Sequence, residues 1–423
     1  MMTVGLFAVF IIFMLLRVPV AFALALSALL FLPFLNFHYE SAVVEIFSAL
    51  NHTSLMAIPG FVFAGIILAR GGISKYLIDG LRAWVGHLPG GMAVVTVLAC
   101  AIFAAISGSS PATAAAIGSI MIPAMVQAGY SKKYAMGLVA AAGTLGILIP
   151  PSIPLIMYGY VAENKATINK LFMAGIIPGL CLTAIIIVSA IVYAKRNGFG
   201  RGQKATWSER WALTWKAIPG GLMPILILGS IYTGMATPTE SSVIASAYAV
   251  IVSLLIYREL KLGDWRPILR ETVHISSMIF MIIASAILFK QYLTLAQVPQ
   301  AIAQWIIDHE FNKWMFILLV NLLFFVLGTF LEAIAIILIT LPIFLPVLDS
   351  LGINPYHFAI IMTVNLEIAM ITPPVGLNLF VVSGIAKEPL EKVIRSIVPF
   401  LLIMLIQLVL IIVWEDLSTF LIR

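Results

Sequence analysis

Apolar segments separated by short polar loops run through almost the whole chain. Most of them approach the length of about 20 residues that a helix needs to cross a lipid bilayer. The first, residues 4–35, is interrupted at Arg17-Val18-Pro19, which predicts a tilted or kinked span followed by a loop at 36–53. The pattern therefore predicts an all-α polytopic membrane protein. Unbroken spans are predicted at residues 54–69, 171–194, 217–234, 239–257, 272–289 and 397–416.

Two segments carry their apolar residues along one helical face instead of all round. The apolar face of the first comprises Ile73, Tyr76, Leu77, Leu81, Trp84, Val85 and Leu88. The second lies within residues 290–313 and presents Val298, Ile302, Trp305 and Ile306. Such one-sided helices either lie along a membrane surface or pack against the rest of the protein. Both interpretations predict rigid surface helices.

Two apolar segments are interrupted near their middle by small and polar residues. Segment 91–126 contains Ser107-Gly108-Ser109-Ser110-Pro111, and segment 313–346 contains Gly328-Thr329-Phe330-Leu331-Glu332. Non-helical backbone at membrane depth must be buried in protein or line a watery cavity, because unpaired N–H and C=O groups are costly there. We therefore predict two re-entrant helical hairpins, each with its interruption at the tip.

Two spans are interrupted by prolines. Residues 134–161 contain Ile149-Pro150-Pro151-Ser152-Ile153-Pro154, and residues 357–386 contain Ile371-Thr372-Pro373-Pro374. Proline removes a backbone donor and clashes with the preceding turn, so a continuous helix is excluded at both places. Each of these spans is predicted to be unwound near its middle.

The two halves of the chain repeat one another at an offset of 223 residues. In each half a span, a surface helix, a hairpin and a broken span follow in the same order. Matching positions are Gly129 with Gly352, Pro123 with Pro346, and Pro150-Pro151 with Pro373-Pro374. Short apolar matches arise by chance, but an ordered set of elements with a double proline in register predicts an internal repeat.

The distribution of charged residues predicts how the chain is oriented in the membrane. The chain is 62% hydrophobic and 10% charged, which excludes an ordinary soluble protein. Its net charge of +6 comes from Lys and Arg in loops, so no nucleic-acid partner is expected. Basic loops at 195–216 and 258–270 are predicted to be cytoplasmic. The N-terminus is then cytoplasmic, the C-terminus is outside, and the two repeats are inverted relative to each other.

Inverted repeats with interrupted helices place ion and solute sites near the bilayer midplane, where unwound carbonyls hold cations. Hydroxyl and carbonyl oxygens suit Na⁺ without adding net charge. We therefore predict two sodium sites, with Na⁺ as coupling ion and no other metal or cofactor. The first would use Ser107, Gly108, Ser109, Ser110, Gly143, Thr144 and Pro150. The second would use Gly328, Thr329, Glu332, Thr372, Pro374 and Gly376.

Helix capping is predicted at three of the breaks. Ser109 or Ser110 precedes Pro111, and Thr372 precedes Pro373, as N-cap residues do. Residues 329–332 fit the capping box S/T-x-x-E. Glu332 is accordingly an ion ligand or proton carrier, or else only the acidic member of that box. Glu367, in the middle of a span, has no capping role and is a functional candidate.

Four motifs together resemble the large membrane subunit of TRAP transporters: residues 107–113, 149–154, 237–240 and 372–378. The resemblance covers essentially the whole chain. It implies an elevator-type sodium symporter of the bacterial inner membrane. It also implies two partners, a small four-span membrane subunit and a periplasmic substrate-binding protein. The imported solutes would carry a carboxylate, such as C4-dicarboxylates or sialic acid, of which sialic acid is favoured here.

In that family picture the hairpins and broken spans form a transport domain, over residues 91–170 and 313–388. The scaffold would comprise 1–53, 54–90 with the first surface helix, 171–312 with the second, and the last span in 389–423. The solute carboxylate would meet half-helix N-termini. The predicted solute-binding residues are Ser109, Ser110, Pro151, Ser152, Thr372 and Asn378.

Two other classes compete with this interpretation. A stand-alone sodium/dicarboxylate or citrate carrier has similar hairpins and needs no partner protein. An intramembrane hydrolase would need a base beside its nucleophile, but no His lies near Ser109 or Ser110 in sequence and no HExxH motif occurs. The sequence therefore predicts a transporter and not an enzyme.

Overall fold

The computed structural model describes residues 2–35, 37–199, 204–373 and 376–423. All regular secondary structure in these ranges is helical. The α-helices are α1 Met2–Leu15, α2 Val20–Phe31, α3 Tyr39–Leu50, α4 Ala57–Arg70, α5 Ile73–Val85, α6 Gly91–Ser107, α7 Ser110–Gln127, α8 Lys132–Gly143, α9 Ile153–Ala162, α10 Ile168–Asn197, α11 Trp207–Tyr232, α12 Pro238–Ile251, α13 Trp265–Leu295, α14 Val298–Asp308, α15 Lys313–Gly328, α16 Ala333–Ser350, α17 Pro355–Ala369, α18 Leu377–Ala386, α19 Leu390–Val413 and α20 Asp416–Thr419.

Within the described ranges, seven helical segments are long and apolar enough to cross a membrane. They contain α4, α10, α11, α12, α13, α16 and α19. Helices α6 and α15 are apolar but shorter, with 17 and 16 residues. The prediction of an all-helical polytopic membrane protein is confirmed.

The first apolar segment consists of two helices rather than one kinked helix. Helix α1 ends in a turn in which the Val18 N–H donates to the Phe13 carbonyl at 3.0 Å. This turn places Arg17 in the left-handed region, at φ 61°, where glycine is the usual residue. Pro19 then precedes the first residue of α2. Helix α1 therefore ends here, because a left-handed residue breaks the helical path and Pro19 has no N–H to donate to the preceding turn.

The predicted loop at residues 36–53 is wrong, because it contains a helix, α3. This helix packs against α13. Its apolar residues lie largely at the surface, with Val43, Val44 and Phe47 exposed. The absence of Lys and Arg from the segment gave no information on its secondary structure, whereas the apolar residues with helical spacing would have indicated a helix.

Both predicted surface helices are present. Helix α5 covers 73–85 and buries Ile73, Leu77 and Ile78 against the protein. The Trp84 indole N–H donates to the Thr214 hydroxyl at 2.8 Å and so joins α5 to α11. Helix α14 packs on α16. Helix α13 extends to Leu295, six residues beyond the predicted end of its span at residue 289, so α14 is shorter than the segment in which it was predicted.

The predicted repeat is visible in the helix boundaries. Helices α7 and α16 each have 18 residues and begin 223 positions apart. Each is followed by a left-handed glycine, Gly129 at φ 92° and Gly352 at φ 62°. Helices α8 and α17 then start after N-cap residues Ser131 and Asn354, whose side chains both accept a backbone N–H. The offset found in the sequence therefore relates equivalent turns of the fold.

Helices of the two repeats pack against each other. Helices α6 and α7 are joined by a short turn and pack against each other. A short turn also joins α15 to α16, but α15 packs more on α17 than on α16. Helix α8 is separated from α9 by residues 144–152, and α17 from α18 by residues 370–376. Helix α7 of the first repeat contacts α18 of the second, and α16 contacts α9. These crossed contacts bring all four interruptions into one region.

Candidate functional site

The tip between α6 and α7 rests directly on the first broken span. Gly108 is left-handed, at φ 60°, and its carbonyl accepts the Ile153 N–H at 3.3 Å. A Cβ atom at this position would lie 2.8 Å from the carbonyl oxygen of Pro151. Residue 108 must therefore be glycine for two reasons: its φ angle is left-handed, and a side chain would collide with the Pro151 carbonyl. This contact joins the predicted site residues Gly108 and Pro151.

Hydroxyl groups fix the shape of this tip. The Ser107 and Thr113 hydroxyls are 2.9 Å apart, and the Thr113 hydroxyl donates to the Ser109 carbonyl at 2.8 Å. Thr113, one helical turn after Ser109, is a site residue that the sequence reasoning did not single out. Ser109 is the N-cap residue of α7, as predicted, but its side chain makes no capping hydrogen bond.

The other predicted residues of the first site lie along the broken span. Gly143 packs on α7, where a Cβ atom would lie 2.7 Å from the Ala114 methyl carbon. The Thr144 hydroxyl donates to the Ala141 carbonyl at 2.8 Å, within its own helical turn. Pro150 and Pro151 are joined by a cis peptide bond. Ser152 caps α9 by accepting the Leu155 N–H at 3.4 Å.

The tip between α15 and α16 differs from the sequence prediction. Helix α16 begins at Ala333 with Glu332 as N-cap, and that residue makes no side-chain capping bond. The Thr329 hydroxyl donates to the Val326 carbonyl at 2.7 Å, at the end of α15. The predicted capping box is therefore wrong. The reason is that α15 ends in a tight turn that leaves Thr329 facing its own helix.

The second broken span also lacks its predicted cap. The Thr372 hydroxyl donates to the Ile368 carbonyl at 2.6 Å and so terminates α17. Helix α18 begins only at Leu377, after the left-handed Gly376 at φ 47°. Capping by Thr372 is therefore wrong, because the hydroxyl is used by the preceding helix. Pro374, predicted as a sodium ligand, lies outside the described residues.

Gly328 places the second tip against the second broken span. A Cβ atom at Gly328 would overlap the side chain of Ala369 at the end of α17. Glu332 follows in the same tip, and its Oε1 atom is buried with no hydrogen-bond partner among the described residues. In the repeat, Glu332 corresponds to Ser109, since both are the N-caps of the helices that start at equivalent positions.

Asn378 joins the two repeats. Its Nδ2 atom donates to the Ser110 hydroxyl oxygen at 2.8 Å and to the Ala140 carbonyl at 3.0 Å. Its backbone N–H donates to the Met370 carbonyl at 3.1 Å, across the second break. Ser110 and Asn378 are both fully buried. The structure thus connects two residues that the sequence analysis had assigned to separate halves of the chain.

A cavity of about 510 Å³ opens beside both tips. We call it the tip cavity. Its lining includes residues 107–111, Pro154, Glu332 and Met370, with Arg70 and Glu271 also on its wall.

A second cavity, of about 380 Å³, is lined by Gly328, Glu332 and Gly376 of the second tip and second broken span, together with Arg17. Glu332 therefore borders both cavities.

Glu367 lies within α17 and is fully buried. Neither carboxylate oxygen has a hydrogen-bond partner among the described residues. Two residues earlier, the Asn365 side chain donates to the Asn321 side-chain oxygen at 2.8 Å and fastens α17 to α15. A carboxyl group in such a place costs folding free energy, so Glu367 remains the functional candidate that the sequence predicted.

A multispan helical protein with two interrupted helix pairs meeting at a buried polar centre has the construction of a membrane transporter. Residues 7–417 match the family described as "Tripartite ATP-independent periplasmic transporter, DctM component". The chain therefore belongs to this family. Its membership confirms the resemblance found in the sequence, and it makes the protein a transporter component rather than an enzyme.

Several curated relatives cover most of the chain. One is the C4-dicarboxylate TRAP transporter large permease protein DctM of Pseudomonas aeruginosa, 44% identical over 92% of this chain and 90% of the relative. Another is the sialic acid TRAP transporter large permease protein SiaM of Vibrio cholerae, 34% identical over 94% and 93%. The isethionate TRAP transporter permease protein DctMQ of Oleidesulfovibrio alaskensis is 40% identical over 95% of this chain and 63% of the longer relative.

The fold is also similar to that of a solved transporter, YdaH of Alcanivorax borkumensis. The TM-score is 0.64 over 89% of this chain and 88% of the other. With 16% sequence identity, this likeness concerns the fold alone. The family and the apolar helices together make the chain a multi-pass protein of the inner membrane.

Proposed function

We propose that this large permease imports a carboxylate-bearing solute, driven by sodium, with the solute bound in the tip cavity. The observation that carries the proposal is the convergence of both interrupted helix pairs on that cavity. The N-terminus of α7 opens onto it at residues 109–111. A helix N-terminus carries unpaired N–H groups and a partial positive charge, both of which favour an anionic group.

The choice of solute follows from the relatives. Of the two carboxylate solutes predicted from the sequence, C4-dicarboxylates give their name to permeases that are 44% and 38% identical to this chain, and sialic acid to one that is 34% identical. We therefore place C4-dicarboxylates first. Sialic acid, favoured on the sequence alone, is the second candidate. Both carry the carboxylate that the α7 N-terminus is suited to bind.

Sodium would bind at the two tips. Around the first tip, Ser109 borders the tip cavity without using its hydroxyl as a cap. The break between α8 and α9 lies against this tip, with Gly146 packed on the Ser109 carbonyl and the Pro151 carbonyl close to Gly108. Around the second, Thr329 and residues 370–373 at the end of α17 offer the same oxygen types. Hard cations such as Na⁺ prefer these neutral oxygen ligands in an unwound helix. No resident cofactor enters the proposal.

Transport would follow an elevator motion. The moving part would be residues 91–170 and 313–388, and the remaining spans with α5 and α14 would form the scaffold. With the basic loops in the cytoplasm, the N-terminus is cytoplasmic, the C-terminus is periplasmic and the two hairpins enter the membrane from opposite sides. The tip cavity would then open toward the cytoplasm, because two of its lining residues lie close to the basic loop 258–270: Arg70 ends α4 and Glu271 is near the start of α13.

Two partners would complete the system. A small four-span membrane subunit would cover exposed apolar helix surface of the scaffold. A periplasmic substrate-binding protein would deliver the solute to the outer face, at 36–53, 290–313 and 347–356. The relative named DctMQ is longer than this chain, which spans 63% of it. This is consistent with a second subunit joined to the permease in that protein.

The test is uptake of labelled succinate and, separately, sialic acid into proteoliposomes containing this chain and its small subunit. An inward sodium gradient and the binding protein are supplied together or one at a time. We expect uptake to require both. Ser109→Ala and Thr329→Ala should each raise the sodium concentration for half-maximal uptake. Undiminished sodium dependence in both variants would contradict the assignment of the sodium sites.

A further inference from the structure

The tip cavity has one cation on its wall in the described part of the chain, Arg70. The other charged residues that line it are Glu271 and Glu332. Arg70 ends α4, and its guanidinium donates to the Glu271 carboxylate near the start of α13 at 2.7 Å. The pair therefore joins two helices that both border the cavity.

The same pair borders a second space. A cavity of about 580 Å³ is lined by Arg70, Glu271, Arg270 and His274, and it is far more polar in its residues than the tip cavity. The two cavities share only Arg70 and Glu271 among their lining residues. The ion pair thus lies where the largely apolar tip cavity meets the polar outer space.

The backbone holds Arg70 in place. Gly71 and Gly72 follow it, and Gly72 is left-handed at φ 81°. A Cβ atom at Gly72 would lie 2.7 Å from the Glu259 side chain. Gly71 closes the helix with a hydrogen bond to the Ile67 carbonyl at 2.6 Å. The turn after Arg70 is therefore packed too closely for side chains, and the guanidinium projects from a fixed helix end.

We propose that Arg70 pairs with a carboxylate of the solute while the solute passes the mouth of the tip cavity, before or after that group meets the α7 N-terminus, and that Glu271 is the counter-ion of Arg70 when no solute is there. This inference rests on the proposed function. Both side chains are more than two-fifths exposed, at 44% and 42%, so their ion pair contributes little to folding stability and is easily exchanged. A guanidinium pairs with a carboxylate through two parallel hydrogen bonds, which makes Arg the suitable residue.

The arrangement makes the two partners act in opposite directions. Removing the charge of Arg70 takes away the binding group. Removing the charge of Glu271 frees the guanidinium and also removes a negative charge that repels the solute. A pair that serves only to join α4 and α13 would instead show the same loss for either change. The sign of the two effects therefore separates a binding role from a structural one.

The experiment measures inhibition of uptake by solute loaded inside the proteoliposomes, since the cavity would open to that side. The probe is succinate or sialic acid, whichever the complete wild-type complex transports. Arg70→Gln should raise the internal concentration that halves uptake about tenfold, the loss of one charge-assisted contact. Glu271→Gln should lower it. Arg70→Lys, which keeps the charge but not the planar fork, should fall between wild type and Arg70→Gln.

Arg266→Gln is the matched control, because this exposed arginine also lies on α13 and lines neither cavity. It should leave the inhibition unchanged, and thermal unfolding should show that all variants fold. Equal shifts in the same direction for Arg70→Gln and Glu271→Gln, or no shift for Arg70→Gln, would overturn the role of Arg70 alone. Failure of the wild-type complex to transport either carboxylate would overturn the proposed function, and this inference with it.

Discussion

Asn378 donates a hydrogen bond of 2.8 Å to the Ser110 hydroxyl, across 268 residues of sequence. Ser110 begins α7 at the tip of the first hairpin, and Asn378 lies in the first turn of α18. Because the same amide also binds the Ala140 carbonyl in α8, it holds three helices at one buried point. The two repeats are thus joined by polar contacts beside the cavity, where a change in one would be felt in the other.

Replacing Asn378 tests this link. Asn378→Ala leaves the Ala140 carbonyl and the Ser110 hydroxyl buried without this partner, which costs about 1–3 kcal/mol. We expect a lower midpoint of thermal unfolding and a loss of uptake that exceeds the loss of folded protein. Asn197→Ala, which removes an exposed amide at the end of α10, is the control. Wild-type unfolding and uptake in Asn378→Ala would contradict the linking role.

The contact between Gly108 and Pro151 at the first tip can be tested by substitution, with Gly352 as the control position. Both are left-handed, at φ 60° and 62°, so an alanine at either position carries a backbone penalty of roughly 1–2 kcal/mol. Only at Gly108 would the new Cβ meet a neighbour, the Pro151 carbonyl at 2.8 Å, while Gly352 has open space. Gly108→Ala should therefore abolish most uptake and Gly352→Ala should retain it, as measured in proteoliposomes. Equal uptake in the two variants would show that the tip contact is not needed.

We expect the Glu367 carboxyl group to lower the stability of the fold and to be needed for uptake. Glu367→Met replaces a buried carboxyl without a described partner by an apolar side chain of similar length. We expect the midpoint of thermal unfolding to rise, because a buried polar group without a hydrogen bond costs about 1–3 kcal/mol, and uptake to fall. Glu310→Met, at an exposed position, should change neither. A lower unfolding midpoint for Glu367→Met would mean that the carboxyl group stabilises the fold.

Acid should weaken a contact at the turn between α18 and α19. Hydrogen bonds from Lys132 and then Lys392 lower the pKa of Glu388 to about 2, from an ordinary value of 4.5. Since the folded-state pKa is the lower one, the stabilisation is fully present above pH 4.5 and is lost as the pH falls toward about 2. The difference in unfolding midpoint between wild type and Glu388→Gln should therefore shrink below pH 4.5. A difference that stays constant with pH would exclude this carboxylate as its source.

The helix breaks could be predicted because their causes are local. Proline at 150 and 151 and glycine at 108 restrict or free the backbone whatever surrounds them. The repeat could be predicted for the same reason, since Gly129 and Gly352 end equivalent helices. The capping roles of Thr329 and Thr372 were predicted wrongly, because a hydroxyl can bind the helix before it as readily as the helix after it.

The sequence by itself determined the class of the protein, the number and order of its interruptions, the internal repeat and the family. These features depend on composition and on short-range backbone chemistry, both of which can be read along the chain. Only the tertiary structure decided that Asn378 binds Ser110, that Glu332 borders two cavities and that Arg70 lines the tip cavity. Such contacts join residues far apart in sequence, and they depend on how whole helices pack rather than on any local preference.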